Sequence, residues 1–213
     1  MYQPPAFKED RVPVLHAAIR RIAFANLITA GPDGLTASAV PMLLDPDPAP
    51  YGTLVGHVSR ANPQWRHQGA AALAIFMGPD AYITPSWYAT KRQTGKVVPT
   101  WNYATIHAHG TVEFFNDPGR LLELVRRLTD RHEGDRAARG AMPWAVSDAP
   151  ADFIAGQLKG IVGFALPISR LEGKWKMSQN RPAEDRAGVV QGLAEDGEAE
   201  MAAIVADPQG RDL

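Results

Sequence analysis

Residues 82–110, YITPSWYATKRQTGKVVPTWNYATIHAHG, gather the side chains that bind flat anionic molecules. The stretch holds two of the chain's five Trp, three of its five Tyr, and Lys91, Arg92, Lys96, Asn102, His107 and His109. Aromatic rings stack on a planar system, and Lys or Arg neutralises its charge. A loop whose rings plug a barrel end or a subunit interface accounts for the same rings. Two other stretches carry polar groups beyond ordinary structural need. Residues 56–66, GHVSRANPQWR, place His57, Ser59 and Arg60 just before Asn62-Pro63, which has the chemistry of a helix start. Backbone N–H groups at such a start receive anions, while simple capping by Asn62 with a solvated Arg60 is the structural alternative. Residues 174–181, KWKMSQNR, close the last expected strand and read equally as a charged strand end.

Other chemistries find no support. His107 and His109 share a strand face, but no third ligand at metal-site spacing accompanies them, and no metal site is expected. The chain has no Cys, so a thiolate nucleophile, a disulfide and a Cys-based zinc site are excluded. A glycine-rich dinucleotide fingerprint, a GxxxxGK loop and a GxSxG elbow are all missing. With 22 basic and 23 acidic residues the net charge is -1, which gives no overall attraction to nucleic acid or an anionic membrane. No basic recognition helix or helix-turn-helix is seen, so direct DNA binding is not supported. The N-terminus lacks an apolar signal core and no segment is long enough to span a bilayer, so a cytoplasmic location is expected.

The elements that must position these residues are mostly strands. Apolar periodicity predicts a helix over 10–22. The turn GPDG at 31–34 joins strands at 24–30 and 35–44, and DPDPAPYG at 45–52 reads as a loop. Strands follow at 53–58, 70–77, 106–115, 161–168 and 171–177, with a turn at Gly78-Pro79-Asp80 and a tight connection at Ser169-Arg170. Helices are expected from 62 to 68, from Asp117-Pro118 onward, at 151–158 and over 184–205. About seven strands with short connections suggest one antiparallel barrel or sandwich with peripheral helices. The expected organisation is a single domain over 1–213 with a helical C-terminal tail at about 184–213.

The pieces GHVSRANPQW, FMGPDAYITPSWYATK, GKVVPTWNYATIHAHG and KWKMSQNRPAEDRAGVVQGL resemble the PaiB family of flavin-binding negative transcriptional regulators. The resemblance runs from the N-terminal helix to about Leu193. It implies the FMN-binding split β-barrel fold, antiparallel with Greek-key character, and a homodimer with FMN at the subunit interface. It places the cofactor along residues 36–41, with Ser38 and Val40, and along 57–62, with His57, Val58, Ser59, Arg60 and Asn62. Ser59, Arg60 and Asn62 are then the phosphate candidates. Trp101, with Trp87 second, is the stacking candidate, and Asn102, Gln179 and Asn180 are candidates for the flavin's polar edge. The family has two or more basic residues around the phosphate. This chain has Arg60 there, with Arg66 and His67 next, and Lys91 or Arg181 to supply further charge. Two functions are implied: a flavin-dependent redox or flavin-sensing role linked to negative transcriptional regulation, or a non-catalytic regulator acting through a protein partner or ligand.

Overall fold

The computed structural model describes residues 1–208; the last five residues of the expected helical tail, 209–213, lie outside the described residues. In order, the elements are β1 (Lys8–Glu9), α1 (Val12–Ile22), β2 (Phe24–Gly31), β3 (Gly34–Asp45), β4 (Thr53–Ser59), β5 (Ala71–Ile83), α2 (Thr90–Thr94), β6 (Thr100–Thr111) and β7 (Glu113–Phe115). Then come α3 (Pro118–Ala137), α4 (Ala151–Leu158), β8 (Ile161–Lys176), α5 (Ala183–Glu195) and α6 (Ala199–Ala206). The strands pair in the order β1-β8-β4-β3-β2-β5-β6, β7 adds to β8, and a further β8–β6 pairing closes the path. Two compact units share these elements. One comprises Met1–Ile22, Phe76–His107 and the chain from Leu171 onward, and the other Ala23–Ile75 and Ala108–Arg170.

The unit of Ala23–Ile75 and Ala108–Arg170 is built on the β2–β3 hairpin. Its register runs from Phe24↔Pro41 to Gly31↔Gly34, and Gly34 takes φ +108, a conformation that favours glycine. β4 pairs antiparallel with β3 from Met42↔Gly56 to Asp45↔Thr53, and with β8 from Thr53↔Pro167 to Ser59↔Ile161. Alternation puts Leu54, Val58, Phe164 and Leu166 inside. Helix α3 starts where Asp117 caps it, its carboxylate accepting from Arg120 N at 2.7 Å. Leu124 and Leu128, four apart, pack on Val55 and Ala165. Each buried leucine contributes about 2 kcal/mol.

The other unit packs its helices around rings. Leu15 and Ile19 of α1, Tyr88, Ile106, Trp175, and Val189 and Leu193 of α5 are all buried. β1 pairs with β8 at Lys8↔Lys174 and Glu9↔Gly173. The tail is helical, in two pieces rather than one, because Gly197 at φ +88 ends the run between α5 and α6.

Four expectations are corrected. Gly78-Pro79-Asp80 makes no turn, since β5 runs through it to Ile83. The last registered pair with β2 is Asn26↔Ile75, so Pro79, which has no N–H to donate, lies beyond the pairing with β2. Ser169-Arg170 does not break β8, which runs unbroken for 16 residues, held by β4 in its first half and by β1 near its end. The strand expected at 106–115 begins six residues earlier, at Thr100, and is interrupted at Val112. Thr100, Trp101 and Tyr103 are good strand formers, and this outweighs the loop-like look of the stretch. The helix expected at 62–68 is a single 3-10 turn, Pro63–Arg66.

Candidate functional site

The candidates before and after β4 belong to the unit of Ala23–Ile75 and Ala108–Arg170, and the chain brings several of them together there. Asn62 caps the 3-10 turn, its Oδ1 accepting from Gln64 N at 3.0 Å, while its Nδ2 donates to Ser38 Oγ at 2.7 Å. That bond ties the loop after β4 to β3. The loop is pinned from below by Gln64, which is fully buried and donates to the Leu27 carbonyl at 2.9 Å, the Thr36 carbonyl at 3.2 Å and Thr29 Oγ1 at 3.1 Å. His67 Nδ1 meets Thr29 Oγ1 at 2.8 Å, and a Cβ on Gly31 would stand 2.2 Å from its ring, so the imidazole is a structural wedge. Gln64 was not singled out in the sequence; an apolar-flanked Gln two residues after a cap was its one signal.

On this platform Ser59 and Arg60 are exposed. Arg60 Nε and Nη2 donate to the carbonyls of Lys159 and Ile161 at 2.6 and 2.8 Å. Both acceptors are neutral, so the positive charge is not cancelled, and a guanidinium has five N–H donors. Ser59 Oγ accepts from Ala61 N at 3.2 Å and keeps its own proton to donate. Arg66 lies 5.3 Å from the Trp65 ring centroid. The donor set of Ser59, Arg60 and Arg66 suits a phosphate dianion. A helix N-terminal anion site does not form beside it, because the helix is one 3-10 turn and its Gln64 N–H is already capped. Val40 and Val58 are buried in the core. His57 is half-buried, and burial holds its imidazole below the ordinary value.

The remaining candidates fall in the other unit. Asn102 is fully buried and exchanges two hydrogen bonds with Ser178: Nδ2 donates to Oγ at 3.0 Å, and Ser178 Oγ donates to Oδ1 at 3.2 Å. Ser178 takes φ 60, unusual for a residue with a side chain. Gln179 spends its amide on the end of β8, accepting from Met177 N and donating to the Trp175 carbonyl, both at 2.6 Å. Asn180 is exposed, and the Arg181 guanidinium lies 4.6 Å from the Tyr88 ring centroid. Burial raises the Tyr88 phenol above its ordinary value despite the nearby Arg181. Trp87 is packed against α5, since a Cβ on Gly192 would stand 2.3 Å from its indole. Trp101 is 52% exposed and meets Tyr82 edge-to-face at 6.1 Å. The two rings border an open cleft with Trp87, Asp80, Asp196 and Glu198. Lys91 is exposed and donates to Ser86 Oγ at 3.3 Å.

Comparison with known proteins bears on the family and the fold. The family described as "Putative FMN-binding domain" matches residues 1–170. An uncharacterized protein of Aspergillus fumigatus is 34% identical, over 91% of this chain and 90% of its own. The Bacillus subtilis "Protease synthase and sporulation protein PAI 2" is 29% identical, over 91% of this chain and 89% of its own. Among solved structures, the FAD and heme binding protein of Mycobacterium smegmatis superposes with a TM-score of 0.56 at 17% identity, covering 79% of this chain and 73% of that one. That likeness shows the fold, the antiparallel split barrel with peripheral helices that the sequence led us to expect. No helix among the described residues is long and apolar enough to cross a membrane. With most of its length matched, the chain belongs to the FMN-binding domain family typified by the PaiB-like relatives, and FMN is its cofactor.

Proposed function

We propose that this chain binds FMN through the loop after β4 and uses it in a redox or flavin-sensing role linked to negative transcriptional regulation. The observation that carries the phosphate assignment is the Asn62–Ser38 bond. It locks together the two segments in which the family resemblance places the cofactor, and leaves Ser59, Arg60 and Arg66 exposed beside it. Ser59 and Arg60 hold the phosphate, Arg66 adds charge, and Asn62 with Gln64 keeps the loop in shape. FMN supplies hydride or electron transfer when bound. The protein's own part is to bind and orient it. The regulatory half of the reading is supported by the name of the Bacillus subtilis relative, a sporulation protein.

Titration of FMN by fluorescence tests this. Wild type quenches the flavin, and Arg60→Ala weakens binding roughly ten- to a hundredfold, the worth of one charge-assisted contact. A colourless wild-type protein that takes up no FMN would overturn the flavin reading and favour a regulator without flavin chemistry. Equal affinity in wild type and Arg60→Ala would move the phosphate elsewhere.

A further inference from the structure

In the unit that contains α5, an open cleft of about 750 Å³ is walled by rings and rimmed by carboxylates. Tyr82 and Trp101 stand edge-to-face at 6.1 Å with their planes 70° apart, so together they form a corner. Trp87 supplies a third ring, and the buried Leu193 adds apolar contact. Three exposed carboxylates, Asp80, Asp196 and Glu198, carry the charge, and among the described residues no Lys, Arg or His lines the cleft. The end of α5 places two of these acids. Glu198 N donates to the Leu193 carbonyl at 2.8 Å and Gly197 N to the Ala194 carbonyl at 3.3 Å, with Gly197 at φ +88, which makes a Schellman turn. This turn fixes Asp196 and Glu198 on either side of the glycine before any ligand arrives. The C-terminal end of the helix adds partial negative charge at the same place.

We infer that this cleft binds a small organic cation of the quaternary ammonium type. The faces of Trp and Tyr are the negative side of the ring quadrupole and attract such a head group. A quaternary ammonium is apolar on its outside and positive within, so it suits a wall of rings better than a strongly hydrated primary amine does. One exposed carboxylate contributes little as an ion pair. Three of one sign around one cleft set its potential, and that potential selects a cation. A phosphate-bearing flavin meets the same three charges as repulsion, so the surroundings of Trp101 and Trp87 change the sign of the ligand that their rings can take. The cleft's volume lies within the range of small-molecule sites, about 300–1,000 Å³. Asp196 and Glu198 lie past residue 170, where the family match ends, and past Leu193, where the resemblance ends, so the site is additional to the flavin reading.

Calorimetric titration with choline tests the cleft, with FMN and dimethylbutanol, the uncharged carbon isostere of choline, titrated in parallel. Wild type binds choline at least about tenfold more tightly than the alcohol. The double variant Asp196→Asn/Glu198→Gln, changed at exposed positions only, weakens choline about tenfold. Trp101→Leu, which keeps an apolar side chain and removes the ring, weakens choline about three- to tenfold and leaves the alcohol unchanged. FMN affinity is the same with and without choline and in the double variant. No choline binding by wild type, equal binding of choline and the alcohol, or full choline affinity in the double variant overturns the site. Competition between choline and FMN would make the cleft part of the flavin site and overturn the proposal as well. Choline that dissociates a dimer in light scattering would show that a basic side chain of a second copy is the occupant, which also overturns it. A wild type that takes up choline but no FMN would overturn only the flavin reading of the loop after β4.

Discussion

His57 shows how the burial of a single side chain bears on acid stability. It stands at the mouth of the loop after β4, and burial depresses its pKa below the ordinary 6.5. The native state therefore resists the charged form. Below 6.5 the unfolded chain binds more protons than the folded one, so stability is present above that pH and is lost as pH falls through the folded value. The urea midpoint of the wild type should drop on acidification from about pH 6.5 to 5, and His57→Gln should flatten that drop. An identical pH profile in the two proteins would show that another group controls it. Arg60 teaches a related lesson: its two hydrogen bonds to carbonyls aim the guanidinium without discharging it.

At the scale of elements, the unit containing α5 depends on how closely that helix approaches the 3-10 turn Pro85–Trp87. Gly188 and Gly192, four apart, present a bare face on which Trp87 lies. A Cβ on Gly188 would stand 2.0 Å from the Trp87 carbonyl oxygen, a backbone atom that cannot swing aside. Gly188→Ala gains helix propensity of up to about 1 kcal/mol but forces helix and turn apart, which costs about 1–3 kcal/mol. The net expectation is a lower melting temperature. A higher one would mean that the helix rests more loosely on Trp87 than the structure indicates. Trp87 thus packs on α5 while also bordering the cleft, and of the two Trp expected to stack on a ligand Trp101 is the more exposed.

For the whole molecule, the expected homodimer becomes a quantitative question. Tyr82 and Trp101, 49% and 52% exposed, form one edge-to-face pair beside the cleft of Asp80, Asp196 and Glu198. Exposed rings of this size favour burial against a symmetric copy. We propose that this face lies in the dimer interface. Light scattering should give twice the 23.1 kDa chain mass at micromolar concentration, and Trp101→Asp should shift it toward the monomer. A monomer mass for the wild type, unchanged by dilution, would refute the dimer.

The sequence by itself determined what local chemistry controls. The GPDG hairpin, the Asp117 cap of α3, the Asn62 cap and the Pro-rich loop at 45–52 all depend on residues a few positions apart, and each is found where expected. The long motifs carried the family. Tertiary structure decided where strands end and which polar groups remain available. β5 runs on through Gly-Pro-Asp beyond its pairing with β2, and β8 runs through Ser-Arg between its pairings with β4 and β1, which the local turn signals do not encode. The helix after Asn62 shrinks to one turn because Gln64 and His67 are drawn to partners in β2 and β3. Gln179 looked available for a ligand and is spent on Trp175 and Met177, whereas Lys176 looked like a plain strand-end charge and stands in a cavity with Arg181. A side chain's availability is set by which acceptors the fold brings within about 3 Å, and spacing along the chain does not encode that.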